Sequence, residues 1–252
     1  MRNNLVSIIM PAYNANNTIS ESIQSVLDQT YQDFELIVVN DCSSDNTKEI
    51  VIHFLESDDR IKFIDKKINE GVAYARNAGL DCAEGEFVAF LDSDDVWCKN
   101  KLEKQIKLLI ENISVDITYT EYFRFNGKGL KQKVDIPTGY TDYNTLLKGD
   151  FIGNSSALYR FRRFSEVRQK KVGAEDYLFW LEIFNNHNVK GLGVKEPLMY
   201  YRVDENQGSL SGNKFKSASW VWDIYFKYLK LGFFSSLYYF SNYVIRALFK
   251  RV

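Results

Sequence analysis

The sequence has few of the residues that mark several classes of protein. Its 252 residues include only 3 prolines, 14 glycines and 3 cysteines. This composition, with 15% aromatic residues, excludes collagen-like, low-complexity and disordered chains. Cys42, Cys82 and Cys98 are too few and too widely spaced for a disulfide framework or a zinc site. We expect them to be small core residues in a reducing compartment.

An excess of one charge and a long apolar run are also missing. The 32 Lys and Arg residues nearly balance the 33 Asp and Glu residues, so nothing indicates a nucleic-acid partner. No run of about 18 uninterrupted apolar residues occurs, which predicts that the chain does not span a bilayer. The apolar run before Pro11 is too short for a signal peptide. The sequence therefore predicts a globular protein of the cytoplasm.

Strand and helix signals alternate through the first hundred residues. Short apolar runs predict four strands, namely Leu5–Met10, Phe34–Val39, Arg60–Ile64 and Phe87–Leu91. Amphipathic segments predict helices over about 17–30, 44–55, 72–83 and 100–112. This alternation predicts an α/β fold with an open, mostly parallel, twisted sheet flanked by helices.

The pattern changes after Asp116. Two alternating segments, 117–125 and 130–136, surround Asn126-Gly127, which is typical of a β-hairpin. A helix is predicted over 173–186, and a late strand over 198–203.

An acidic cluster, Asp92-Ser93-Asp94-Asp95, follows the fourth predicted strand. Three carboxylates so close together repel one another unless a cation or hydrogen-bond donors neutralise them. Mg²⁺ and Mn²⁺ take oxygen ligands, and Mg²⁺ often needs only one or two carboxylates besides substrate phosphates. A solvated acidic turn that caps the next helix explains the cluster equally well.

Three further charged positions are candidates for a site. Asp41 follows the second strand, where it can accept hydrogen bonds from a ribose or a base, or else cap a helix. Arg76 can reach a nucleotide or a diphosphate, although a lone arginine more often forms a surface salt bridge. Asp176, beside Glu175, begins an apolar helix. It is either a helix cap or a general base near an acceptor hydroxyl.

Six segments, taken together and in this order, resemble the family-2 glycosyltransferases of the GT-A fold. The resemblance covers about residues 5–211 and rests on residues 6–14, 38–47, 69–79, 90–95, 152–156 and 175–180. Each motif is weak by itself, and the six in order are specific. The resemblance implies a Rossmann-like nucleotide-binding half over 1–112 and an acceptor-binding half over 113–211.

The resemblance also implies an activity and a set of site residues. The donor would be a nucleotide sugar, most often a UDP-sugar. The reaction would invert the configuration at the anomeric carbon and would use Mn²⁺ or Mg²⁺. Asp176 would be the catalytic base, Asp94 would ligate the metal, and Asp92 would hold the ribose and metal region. The other substrate-binding residues would be Pro11, Tyr13, Asp41, Arg76, Ser93 and Glu175.

Two positions depart from the family pattern. Asn40 stands where the family usually has the first of two aspartates, which leaves part of the nucleoside contact in doubt. Asp204 stands in place of a histidine that can assist the metal or the diphosphate.

Residues 212–252 form a basic, aromatic tail. They contain seven Lys or Arg residues, one acidic residue and 13 of the 38 aromatic residues. We expect two helices separated near Gly232. The part around 220–229 would either pack on the domain or lie in a membrane interface, and for 233–252 the inner-leaflet interface is favoured. A homodimer interface is the alternative use of the tail.

The preferred hypothesis is a peripheral enzyme on the inner face of the cell membrane. It would extend a bacterial surface polysaccharide, such as an O-antigen, on an acceptor linked to a lipid diphosphate. A transferase for soluble or protein acceptors and a catalytically silent sugar-nucleotide scaffold are the alternatives.

Overall fold

The computed structural model of the protein describes residues 2–126, 129, 131–186, 188–203 and 214–249. In this part of the chain ten strands form one mixed sheet, and eight α-helices flank it. The strands are β1 (Arg2–Ala12), β2 (Phe34–Asn40), β3 (Ile61–Asp65), β4 (Gly85–Phe90), β5 (Val96–Trp97), β6 (Ile117–Phe125), β7 (Lys131–Val134), β8 (Gly139–Thr141), β9 (Leu158–Arg160) and β10 (Gly191–Arg202). The helices are α1 (Ile19–Leu27), α2 (Thr47–Leu55), α3 (Val72–Cys82), α4 (Lys101–Glu111), α5 (Tyr143–Leu146), α6 (Glu175–Phe184), α7 (Lys214–Asp223) and α8 (Phe233–Phe249).

The first four strands form a parallel half-sheet in the order β3-β2-β1-β4. Ile8 of β1 lies between Leu36 of β2 and Ala89 of β4. These strands are apolar because helices cover a parallel sheet on both faces, and every residue of β2 is buried. The predicted alternation of strands and helices is confirmed. The carboxyl ends of β1, β2 and β4 therefore lie along one edge of the sheet.

The second half of the sheet is mixed. Strand β9 joins the halves by pairing antiparallel with both β4 and β6. Strand β6 is parallel to β10 and antiparallel to β7, and β5 and β8 run antiparallel to β10. The expected α/β sheet is confirmed, but its parallel pairing belongs mainly to the first half. The reason is that β6 and β7 pair as neighbours, without the helical crossover that a parallel pair requires.

Helix α3 lies close to β1 at Gly79. A Cβ atom at this position would lie 2.4 Å from Cγ2 of Ile9, well inside van der Waals contact. Only glycine allows the helix to lie so close to the strand. Arg76 is one turn earlier on the same helix, so this contact also sets where its guanidinium lies.

An aromatic cluster fills the core between the sheet and α6. The rings of Phe90, Tyr159, Phe179 and Trp180 have centroids 5.0–6.3 Å apart, and most pairs meet edge to face. This is the geometry that aromatic quadrupoles favour. Because α6 is apolar on most of its circumference and is buried in this core, its N-terminal end is held firmly at the edge of the sheet.

The tail packs against the domain along one side. Val221, Ile224 and Tyr225 are buried, and the Tyr225 hydroxyl lies 2.7 Å from the Tyr177 hydroxyl and donates to the Leu147 carbonyl at 2.7 Å. Of the two alternatives for 220–229, the structure has the packed one. The break at Gly232 is confirmed, since its φ of +76° is in the left-handed region that favours glycine.

Helix α8 has one packed side and one exposed side. Tyr239, Phe240 and Tyr243 pack against the core of the domain, so a tail lying wholly in a membrane is excluded. Another set of apolar residues is exposed, and we call it the outer face of α8: Phe234, Leu237, Tyr238 and Ile245. Among the residues that the structure describes, no helix has the length and apolarity needed to cross a membrane. The expected boundary between 211 and 212 lies outside the described residues.

The prediction that the cysteines are core residues is wrong. Cys42 and Cys82 are exposed, and Cys98 is half-buried. Cys42 stands in the loop after β2, and Cys82 ends α3 on its solvent side.

Candidate active site

A cleft of about 1080 Å³ opens at the sheet edge where β1, β2 and β4 end. The N-terminal end of α6, the end of β10 and parts of the tail complete its walls. All nine residues that the sequence nominated line this cleft: Pro11, Tyr13, Asp41, Arg76, Asp92, Ser93, Asp94, Glu175 and Asp176. The fold therefore brings together residues up to 165 positions apart, while the role of each stays a prediction.

Asp41 is a buried carboxylate that binds two neighbouring segments at the edge of the cleft. It accepts hydrogen bonds from the Lys66 ammonium at 2.7 Å and from the backbone N–H of Gly71 at 2.7 Å. Neighbouring Asn40 does not line the cleft; its amide donates to Asp65 on the adjacent strand at 2.8 Å. The departure at Asn40 thus changes a contact between strands rather than the cleft surface. Tyr13, 54% exposed at the rim, presents an aromatic ring to solvent.

Arg76 is buried between the two acidic parts of the cleft. Its guanidinium donates to Asp92 at 2.6 Å and to the Gln169 side chain at 3.0 Å, and it lies 3.5 Å from Glu175. The expectation of a surface salt bridge is therefore wrong, because the residue is only 4% exposed. These carboxylates outweigh the cost of burial and raise the pKa of Arg76, which stays charged.

The acidic loop 92–95 is held from both sides. The Asp92 N–H donates to the Ser155 hydroxyl at 3.1 Å, and buried Asp95 accepts a hydrogen bond from the Arg202 N–H at 3.1 Å. The Arg202 guanidinium also donates to the Asp94 carbonyl at 2.9 Å. Burial, with the nearby charges of Asp94 and Asp92, raises the pKa of Asp95. The loop thus directs Asp94 outwards, where its side chain is exposed at the cleft.

The fit of this loop to a metal ion depends on the two outer carboxylates. Asp94 is exposed, but one oxygen of Asp92 already accepts from Arg76. Across the described ranges no group of three or more His, Cys, Asp or Glu residues is arranged to hold an ion. Such a sparse set fits Mg²⁺ or Mn²⁺ held jointly by one or two carboxylates and substrate phosphates. Asp204, the other candidate, lies outside the described residues.

Asp176 stands at the start of α6, where it lines the cleft. The chain enters this helix through Ala174 in the left-handed conformation, with φ of 55°. Asp176 accepts a hydrogen bond from the Tyr177 N–H at 2.9 Å. Burial raises the pKa of Asp176, while the positive charge of Arg76 opposes this shift. Burial and the charge of Asp176 raise the pKa of neighbouring Glu175 as well.

The tail forms a wall of the cleft that was not foreseen from the sequence. Ser217, Trp220, Val221 and Tyr243 line it. The Trp220 ring lies so close to Gly173 that a Cβ there would be 2.1 Å from it. The only signal in the sequence was the aromatic content of the tail, which fits a membrane surface as well as a cleft wall.

Known proteins resemble this chain in sequence and in fold. The family model described as Glycosyl transferase family 2 matches residues 7–168. The Escherichia coli protein named UDP-Glc:alpha-D-GlcNAc-diphosphoundecaprenol beta-1,3-glucosyltransferase WfgD is 40% identical over 241 residues, which are 96% of this chain and 92% of that protein. The putative teichuronic acid biosynthesis glycosyltransferase TuaG of Bacillus subtilis is 35% identical over 251 residues, 98% of each chain.

A solved structure shares the fold. S. aureus TarS 1-349, crystallised in complex with UDP, superimposes with a TM-score of 0.68 and 25% identity over 88% of this chain. The match covers 65% of the TarS fragment, so this chain corresponds to somewhat less than two thirds of it.

Proposed function

The chain belongs to glycosyl transferase family 2, and from this premise we propose that it moves a sugar from a UDP-linked donor to a hydroxyl of a glycan carried on a lipid diphosphate. The names of WfgD and TuaG and the UDP complex of TarS support the donor, the acceptor and a role in bacterial surface-polysaccharide synthesis. UDP-glucose is the first donor to test, since WfgD is named for it.

One observation carries the proposal: a single cleft is lined both by an acidic loop and by a half-buried carboxylate at the start of α6. Asp92 and Asp94 belong to the loop, Asp176 begins the helix, and Arg76 contacts both Asp92 and Glu175. A diphosphate needs positive charge, which Arg76 and a metal ion held by the acidic loop would supply, and an acceptor hydroxyl needs a base. The cleft contains the residues for both.

The proposed reaction is a direct displacement. Asp94 and Asp92 would hold a Mn²⁺ or Mg²⁺ ion, whose charge offsets that of the departing diphosphate. Asp176 accepts the proton of the acceptor hydroxyl, and the oxygen of that hydroxyl attacks the anomeric carbon from the face opposite the diphosphate. The bond between that carbon and the diphosphate oxygen breaks, so the configuration inverts. Because burial raises the pKa of Asp176, it is a stronger base than an ordinary aspartate.

A panel of radiolabelled sugar nucleotides tests the activity. The full chain is incubated with UDP-glucose, UDP-galactose, UDP-GlcNAc or GDP-mannose and either a GlcNAc-diphosphate-lipid acceptor or a soluble glycan, with Mn²⁺ or with excess chelator. We expect transfer from one UDP-sugar, lost in chelator. Transfer to soluble glycans alone would contradict the acceptor class, and binding of a UDP-sugar without transfer to any acceptor would indicate a silent scaffold.

We also propose that the outer face of α8 rests on the inner leaflet of the membrane. Phe234 is 84% exposed and Tyr238 54%, and both lie on the same side of the helix as Ile245. Exposed aromatic residues suit the headgroup region, and each nearby Lys or Arg adds about 1 kcal/mol of attraction to an anionic leaflet. An acceptor anchored in lipid makes this placement useful, because enzyme and substrate then share one surface.

A further inference from the structure

Asn154 is a buried polar side chain with no hydrogen-bond partner in the protein. It begins the short 3₁₀ helix Asn154–Ser156, lines the cleft and is 4% exposed. Neither its side-chain nitrogen nor its side-chain oxygen has a partner. A buried amide left unpaired costs free energy, so native proteins almost always pair such groups.

The two neighbours of Asn154 in the 3₁₀ helix have side chains that are hydrogen-bonded within the protein. The Ser155 hydroxyl accepts from the Asp92 N–H, and the Ser155 carbonyl accepts from the Trp97 indole at 2.8 Å. The Ser156 hydroxyl donates to the Gly153 carbonyl at 2.7 Å. Its two neighbours thus fasten the helix to the acidic loop and to the core. Only the side chain of Asn154 keeps unused donors and an unused acceptor.

The geometry points to a ligand hydroxyl as the missing partner. A carboxamide that offers both a donor and an acceptor matches a sugar hydroxyl, which also donates and accepts. We propose that Asn154 is a specificity-determining residue that binds a hydroxyl of the transferred sugar. We assign the donor rather than the acceptor because Ser155, the next residue, holds the loop of Asp92 and Asp94 that faces the diphosphate. This inference rests on the proposed function.

Calorimetry with UDP and with UDP-sugars separates this role from a structural one. Asn154→Leu keeps the approximate size of the side chain and removes the amide. We expect its Kd for UDP to stay within about twofold of the wild-type value. Its Kd for the preferred sugar among UDP-glucose, UDP-galactose, UDP-GlcNAc and UDP-GalNAc should rise roughly tenfold, the loss of one hydrogen bond to a buried group.

Tyr159→Phe is the matched control, because the Tyr159 hydroxyl is also buried without a partner but lies outside the cleft. It should leave both affinities unchanged. Deoxy analogues of the preferred UDP-sugar then identify the hydroxyl that Asn154 binds. Removal of that hydroxyl should lower the affinity of the wild type and leave the affinity of Asn154→Leu unchanged.

Three outcomes would overturn the inference: equal affinities of Asn154→Leu and wild type for the UDP-sugar, a parallel loss for UDP and UDP-sugar, or a rise in acceptor KM alone. If Asn154→Leu fails to fold, Asn154→Ala replaces it, with the same expectation for the deoxy series, because alanine also lacks the amide. A wild-type protein that binds neither UDP nor any UDP-sugar would instead refute the proposed function, which keeps the two failures distinct.

Discussion

At the scale of single residues, Asp94 tests the metal assignment. It is exposed on a loop held by Arg202, so Asp94→Asn should leave the free energy of unfolding within about 0.5 kcal/mol of the wild type. Transfer should fall by roughly 10²-fold or more, since one electrostatic contact to the leaving group is lost. Steady-state rates across a Mn²⁺ titration measure this. Asp59→Asn, exposed and outside the cleft, is the control; full Mn²⁺-dependent activity in Asp94→Asn would refute the assignment.

Substitution of Asp176 tests its assignment as the general base. Asp176→Asn should lower kcat about 10²–10⁴-fold and leave the Kd for UDP unchanged, because the base faces the acceptor. The base acts only when ionised, and burial raises its pKa above the ordinary 3.8. We therefore expect kcat of the wild type to decline as the pH falls through this raised pKa, at a higher pH than an ordinary aspartate would require. Loss of UDP binding in Asp176→Asn would show that the residue faces the donor.

At the scale of elements, the contact between α3 and β1 determines where Arg76 lies. Gly79→Ala places a Cβ 2.4 Å from Ile9 and should cost about 1–3 kcal/mol of unfolding free energy, since the core must shift to accept it. The displaced helix should also weaken UDP binding. Urea denaturation and calorimetry measure the two effects. Gly153→Ala is the control for stability, because its Cβ would come no closer than 3.8 Å to another residue.

The contact between Gly173 and Trp220 tests the wall formed by the tail. Gly173→Ala must displace the Trp220 ring, because their atoms would otherwise be 2.1 Å apart. We expect the KM for the acceptor to rise several-fold while the Kd for UDP stays constant, since the tail lies on the side of Asp176. A change in UDP affinity of the same size would show that this wall serves the donor.

The elements of the first half were predictable because each is specified locally. Apolar runs of five or six residues mark buried strands, and the polar residues after them mark the strand ends at which Asp41 and Asp92 lie. The burial of Arg76 was not predictable, because it depends on Gln169 and Glu175, almost a hundred residues later. The lack of a hydrogen-bond partner for the Asn154 amide was also not predictable from the sequence, because it depends on how the surrounding residues pack.

At the scale of the whole molecule, the two sides of α8 have different surroundings. The double variant Phe234→Glu, Tyr238→Glu places charge on the outer face and leaves the packed residues intact. It should move the protein from membranes to the soluble fraction and reduce binding to phosphatidylglycerol vesicles. Activity should fall on acceptor embedded in a bilayer and survive on a short-chain soluble analogue.

Ile113→Glu is the matched control, since Ile113 is 87% exposed at the end of α4. Unchanged membrane partition in the double variant would refute the membrane role, and conversion of a dimer to a monomer would identify the outer face as a subunit interface. A truncation of the chain before α8 would be a less specific test, because it would also remove Tyr243 from the cleft.

The cleft has walls from both ends of the chain, from Pro11 and Tyr13 to Trp220 and Tyr243. A ribosome adds roughly 5–20 residues per second, so the last of these side chains is made about ten to fifty seconds after the first. During that interval the nascent chain can fold its parallel half-sheet but has no finished cleft. We therefore expect sugar transfer to begin only after α8 has been translated, so that unfinished chains do not consume donor.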